Sequence, residues 1–239
     1  MTNYLWIRAI APFAAYRYFQ AGSYRSTMPI LPPSAALGLV LNLAAIEMRE
    51  SVDDVTTQIR KDIPHLCLAI GTITPPERTY TSTLYQQLHS YPVGKPGENL
   101  KEYVQGQKYW IVPVRREILA NLDMAIALKN PEDGLVDRIL RGLNGEFNAQ
   151  RYGLPFAGDN NLLFDRLEIL QRPPETYWYE RIELDAAPKL GTCRLTVGIN
   201  RKNNSETTSF LYAPVEEPSI YPPDSAWTWT PKAPDRLQV

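Results

Sequence analysis

Cysteine and histidine are nearly absent from this chain, with two of each in 239 residues. Cys67 and Cys193 stand far apart, which excludes a disulfide framework and the paired thiol spacing of a zinc site. That usage points to a reducing, cytoplasmic compartment. No apolar run reaches the length of a membrane span: the longest, 35–46, follows Pro32-Pro33 and carries Asn42, so no membrane partner is expected. The opening MTNYLWIRAIAP lacks a basic segment ahead of an apolar run and does not read as a signal peptide. Positive charge is not in excess either, at 25 Lys+Arg against 26 Asp+Glu, which excludes a protein that coats nucleic acid indiscriminately. Neither a P-loop, a nucleophile elbow nor a dinucleotide fingerprint is found, leaving little room for a small-molecule enzyme. Asp53-Asp54, Asp133 and Asp159 have no His or Glu at ligand spacing, so they read as helix caps and a turn residue. Neither metal nor cofactor is expected.

One further absence is local. Residues 1–46 contain no acidic side chain but hold Arg8, Arg17 and Arg25. Two of these arginines fall in the stretch 15–38, AYRYFQAGSYRSTMPILPPSAALG, among Tyr16, Tyr18, Phe19 and Tyr24. Guanidinium forks match phosphate, aromatic rings stack on unpaired bases, and a helix start offers free backbone N–H groups to an anion. The combination points to a single-stranded nucleic acid.

Periodicity divides the chain. A β-rich run at 4–11 is followed by an irregular arm, 12–33, and then an apolar helix over 34–50 with Ser34 as N-cap. The segment 51–63 opens on Ser-Val-Asp-Asp and predicts a second, shorter helix ending before Pro64. Strands are predicted at 65–73, 109–114, 122–128 and 162–170, with a helix after Pro131 that Gly145 ends. Between the first and second of these strands lies a long Pro- and Gly-rich excursion, 74–108, in which tyrosines alternate with Arg78 and lysines. The order fits an α+β fold of ferredoxin type, the βαββαβ plan of RNA-recognition domains, over 1–172. Three more strand-like runs, at 177–184, 193–200 and 207–213, predict a small β-rich C-terminal extension over 173–239, with Trp227 and Trp229 as anchors of the tail.

Three segments carry a family resemblance: SYRSTMPILPPSAALGLVLNLA at 23–44, RREIL at 115–119 and RYGLPFAGDNNLLFDRLEIL at 151–170. In that order and spacing they resemble the CRISPR-associated Cas-five family, in its DevS-like branch found with subtype I-B systems. The resemblance covers 4–170. It implies a ferredoxin-like RAMP subunit of a Cascade surveillance complex that caps the 5′ handle of the guide RNA (crRNA). Implied partners are that handle, the backbone and large subunits, the small subunit as a further contact, and target DNA indirectly through base pairing; no homo-oligomer is expected. The excursion 74–108 becomes a thumb folding over the RNA. Carried onto this chain, the implied contacts are Tyr16, Arg17, Tyr18, Ser23, Tyr24, Arg25 and Ser34, with Arg78, Tyr80, Lys95, Lys101 and Lys108 in the thumb, and Arg115, Arg116, Asn160 and Asn161 beyond it.

The ordinary roles of these residues are weighed beside that. Tyr16 and Tyr18 share one side of an extended segment, where core packing competes with RNA contact, and Tyr24 is preferred over Phe19 as a contact. The thumb lysines act collectively if they act at all. A rival reading is a metal-independent endoribonuclease that processes the CRISPR repeat RNA, as in the subtype I-C branch of the family, where a tyrosine, a lysine and a histidine act as acid, base and charge stabiliser; its candidates here are Tyr85, His89 and Lys95. His65 opens a strand and reads as structural.

Overall fold

The computed structural model describes residues 2–18, 23–50, 58–78, 80–90, 110–147, 153–187, 189–201 and 203–232. It is a mixed structure dominated by one large, mainly antiparallel sheet, with few helices. The framework is β1 (Tyr4–Ala14), α1 (Pro33–Leu43), β5 (Leu66–Thr72), β7 (Trp110–Lys129), α2 (Asp133–Leu143) and β8 (Arg166–Leu170). In the sheet β5, β7, β1 and β8 lie side by side, each antiparallel to the next. The arm between β1 and α1 carries three short strands, β2 (Tyr16–Arg17), β3 (Tyr24–Arg25) and β4 (Thr27–Met28). Past β5 the sheet continues through β9 (Tyr177–Ile182), β11 (Thr208–Pro214) and β10 (Cys193–Gly198), while β12 (Thr228–Thr230) also pairs with β5.

That continuation explains why α1 is apolar nearly all round. One flank of the helix meets β5 and α2, and another meets β10 and β12. Leu37, Leu39, Val40, Leu41 and Leu43 therefore all bury, and Ser34, Ala35, Gly38 and Asn42 are left on its outer side. The main core joins this helix to Ile7, Ile70, Ile126, Leu195 and Tyr212. A second cluster covers the opposite side of the sheet, where Trp6 and Trp178 pack with Ala69, Ala125 and Ala127 under the C-terminal segment. Trp227, expected as an anchor, stacks on Tyr4 at 5.6 Å, and the Lys129 ammonium sits 5.3 Å from its ring centre. Trp229 is half-buried in β12 opposite Cys67. No helix among the described residues is long and apolar enough to cross a membrane.

Several boundaries differ from the sequence reading. Ser34 is not the N-cap: α1 starts at Pro33, and the Pro32 carbonyl accepts from the N–H groups of Ala35 and Ala36. The helix stops at Leu43 rather than near 50. Its C-terminus closes on Ala45 in the left-handed region at φ 51, with Ile46 N–H donating to the Leu41 carbonyl at 2.8 Å. Alanine at that position gives no sequence signal, and the stop is secured from outside, where Arg138 of α2 donates to the carbonyls of Ala44 at 2.8 Å and Ala45 at 2.9 Å. By contrast α2 ends on Gly145 at φ 71, as expected. Of the predicted helix 51–63, residues 51–57 lie outside the described residues. The remainder is not helical, since Ile59 forms a bridge with Arg49 and a turn follows.

The excursion 74–108 begins as a strand, β6 (Tyr80–Ser90), paired with β7 from Tyr80↔Ala120 to Ser90↔Trp110. Residues 91–109 lie outside the described residues. The separate strands predicted at 109–114 and 122–128 are one strand, β7, of 20 residues. Asn121, at φ 57, bends it without breaking it, a conformation asparagine tolerates better than most residues.

Candidate nucleic-acid interface

The outer half of β7 reads PVRREI over 113–118 and alternates in burial, and this alternation builds the site. Val114, Arg116 and Ile118 are buried, whereas Arg115 is exposed and Glu117 half-buried. Alternate residues of a strand point to opposite sides, so the adjacent pair Arg115-Arg116 serves both. β6 pairs along one edge of this segment and β3 lies parallel along the other, with Tyr24↔Arg115 and Arg25↔Arg116 in register. The Arg115 N–H donates to the Ser23 carbonyl at 2.7 Å, fixing the arm onto β7.

On the side of Arg116, positive charge gathers. Burial lowers the Arg25 pKa first, and the neighbouring charges of Arg17 and Arg116 lower it further. Arg116 is the anchor of this group, with 9% of its side chain exposed and its Nη2 donating to Asp159 Oδ2 at 2.6 Å. Its Nε is buried and has no hydrogen-bond partner among the described residues. A buried donor without a partner costs about 1–3 kcal/mol. Asp159 is the carboxylate that holds Arg116. Burial would raise its pKa, but the N–H and side-chain amide of Asn161 and the Arg116 guanidinium outweigh this and hold it below its ordinary 3.8.

Asp159 is placed by the loop 153–161, which is tied down at its start and its middle. Ala15 N–H donates to the Ala157 carbonyl at 2.9 Å, and Asn42 Nδ2 donates to the Gly153 carbonyl at 3.3 Å. Gly158 needs to be glycine: its φ is 82°, and a Cβ there would stand 2.3 Å from the Ala15 carbonyl oxygen and 2.6 Å from the Tyr16 ring. Beyond Gly158 a groove of about 450 Å³ runs between this loop and the outer side of α1, lined by Ser34, Ala35, Gly38, Asn42, Leu154 and Phe156 among others. Arginine cluster and groove are therefore neighbours across one turn of chain.

The other predicted residues divide clearly. Tyr16 is a core residue, 3% exposed, with its hydroxyl buried and unpartnered among the described residues and its pKa driven up by burial. Tyr18 is half-buried against the main core; burial, then the nearby Cys193 and Glu117, raise its pKa. Tyr16 leaves the list of surface contacts for the packing reason weighed against it, whereas Tyr18 keeps part of its surface exposed. Arg17 and Ser23 are exposed, and the Tyr24 hydroxyl donates to Glu117 Oε1 at 2.5 Å. Ser34 faces the groove, Arg78 sits in a short 3-10 turn at Pro76–Arg78, and Tyr80 is 63% exposed beside Ala120. Asn160 and Asn161 are both exposed, and the Asn161 side-chain amide donates to Asp159. Lys95, Lys101 and Lys108 lie outside the described residues. Of the nuclease trio, Tyr85 is exposed on β6, His89 is described only by its backbone register opposite Ile111, and Lys95 falls outside. Arg8, the third arginine of the acid-free stretch, is held away from the site by Asp123 at 2.8 Å and Glu168 at 3.4 Å.

The fold has solved counterparts. A chain of a structure described as "CRISPR RNA-guided surveillance complex" superposes with a TM-score of 0.55 at 14% identity, covering 94% of this chain and 96% of that one. At that identity the likeness is one of fold. A chain described as "Crystal structure of Cas protein" overlaps at 13% identity over 92% of this chain and 100% of that one, but its TM-score of 0.47 is too low to carry an argument. No protein-family model and no curated protein matches the sequence.

Two residues that organise the site escape a sequence reading by residue type. Glu117, which accepts from Tyr24 Oη and from the Thr27 N–H at 3.0 Å, and Asp159 are acidic residues in what is sought as a basic site. The usable signal is strand alternation through Arg115-Arg116-Glu117, which separates two sides before any coordinates are known.

Proposed function

We propose that this chain is a noncatalytic guide-RNA-binding subunit of a type I CRISPR surveillance complex, capping the 5′ handle and docking on the backbone and large subunits. The observation that carries the reading is the closeness of Arg25 to Arg17 and to Arg116, the latter anchored on Asp159, beside the groove at the start of α1. Like charges are not gathered this way for stability, and a phosphate relieves their repulsion while offering acceptors to guanidinium donors. The resemblance in sequence names the same places, the arm, the start of the first helix and the thumb, and the likeness of fold to a surveillance-complex chain points the same way. The finer assignment to a ferredoxin-like RAMP of the DevS-like branch belongs to this proposal. It is supported by the order β5, β7, β1, β8, with α1 joining β1 to β5 and α2 joining β7 to β8.

In this role base pairing by the guide does the recognition, and the protein holds one RNA end in shape. Expressed with its neighbouring subunits, the chain is expected to copurify with an RNA of discrete length, and Arg25→Ala to weaken handle binding by about 1–3 kcal/mol with a shallower salt dependence. A complex free of RNA, or unchanged affinity in the variant, would count against the reading. Purified protein incubated with repeat RNA in chelator is expected to leave it intact. Cleavage that disappears in His89→Ala would instead establish the nuclease.

A further inference from the structure

A row of side chains crosses three strands on the side of the β3–β7–β6 ribbon opposite Arg25 and Arg116. Tyr24, Arg115 and Tyr85 are partners in register, so their side chains lie next to one another. The Arg115 guanidinium sits over the Tyr85 ring, 5.2 Å from its centre. At the other end the Tyr24 ring is held by its hydroxyl bond to Glu117, which also raises the pKa of that hydroxyl. Strands lie about 4.8 Å apart, so the two rings are separated by roughly 10 Å with the guanidinium between them.

A structural role accounts poorly for this row. Tyr85 is 73% exposed and Tyr24 45% exposed, so neither ring contributes to the core. Tyr80, 63% exposed, lies further along the same strand. Arg115 covers Tyr85 from one side, and that arrangement orients the ring while leaving its opposite face to solvent. An open aromatic face backed by a guanidinium is the device that takes an unpaired base, because every base presents a π-face. The position is also suitable, since the edge strand β3 links this side to Arg25 and Arg116 on the other.

We infer that Tyr85, backed by Arg115, is a stacking step for one unpaired nucleobase of the bound RNA, with Tyr24 as the neighbouring ring. The step rests on the reading that this chain binds single-stranded RNA. It assigns Tyr85 a binding role in place of an acid-base one, and it divides the work between two sides of one ribbon: phosphate at Arg25 and Arg116, base at Tyr85.

The test uses the full chain and a short oligouridylate carrying iodouridine, which cross-links under light to aromatic rings stacked on it. The cross-link is expected on the peptide containing Tyr85, to vanish in Tyr85→Ala and to persist in Tyr85→Phe, because stacking needs the ring and not the hydroxyl. Affinity of Tyr85→Ala should fall by about 5- to 150-fold, the range corresponding to one stacked base. If the wild type and Tyr85→Ala bind equally and the cross-links map elsewhere, the stacking step is overturned while RNA binding stands. If the wild type binds no RNA, both fall. A cross-link retained in Tyr85→Ala at reduced affinity would also overturn the step, by placing the base on another ring.

Discussion

Replacing Asp159 with alanine is expected to lower the stability of the free protein by about 3 kcal/mol, the lower end of the cost of breaking a buried ion pair by removing one partner. For a chain of this size that corresponds to a fall of roughly 6–12 °C in melting temperature. Arg116, with 9% of its side chain exposed, loses its partner at 2.6 Å and is left facing Arg25. The loop loses as well, since Asn161 donates to the same carboxylate through its backbone and its side chain. Asp159→Asn keeps the shape and should cost less. A double variant with Arg116→Gln should cost less than the sum of the single changes, because the two residues interact directly.

The same pair gives a pH dependence whose sign is fixed. The Asp159 carboxyl titrates below its ordinary 3.8 when folded. Its contribution is therefore complete above that value and fades as the pH falls below 3.8 and through the lower folded pKa. Acid melting curves should show this loss in the wild type and a smaller one in Asp159→Asn. Equal acid profiles, or an Asp159→Ala protein as stable as the wild type, would remove the ion pair from the account.

The second large effect is on binding. Arg17→Ala combined with Arg25→Ala is expected to weaken RNA binding by about 2–6 kcal/mol in total, from about 1–3 kcal/mol per charge-assisted contact. The free protein should behave in the opposite sense. Arg25 is held near Arg17 and Arg116 in mutual repulsion, so removing its charge should leave the melting temperature unchanged or slightly raised. A surface made for structure would lose stability with its charges, whereas one made for an anion loses affinity and keeps its stability. Melting curves and filter binding on the double variant separate the two, and a protein that loses stability while binding RNA normally would sink the phosphate assignment.

How far the sequence goes depends on whether a feature is local. The strand at β5 and the helix α2 with its Gly145 stop are written in periodicity and turn chemistry, and they appear close to where residue pattern puts them. So does the mixed α and β character of the chain. The end of α1 does not, because its left-handed residue is Ala45 and its last carbonyls are satisfied by Arg138, distant in sequence. β6 is hidden for a related reason: the side chains of residues 80–85 are exposed, and its backbone is satisfied by pairing with β7. Tyr16 looks like a contact by type and is a core residue by position.

By itself, the sequence determined that this protein is a mixed α and β chain with an acid-free N-terminal stretch in which arginines and aromatic rings alternate. Composition and local pattern are properties of neighbours along the chain, and these need no more than neighbours. Tertiary structure alone decided which arginines count. Arg8 is taken by Asp123 and Glu168 from other strands, while Arg25 is brought close to Arg17 and to Arg116, which Asp159 anchors. The physical reason is range: a charge is free or neutralised according to what lies within a few ångströms of it, and in this sheet those neighbours come from residues that are remote in sequence.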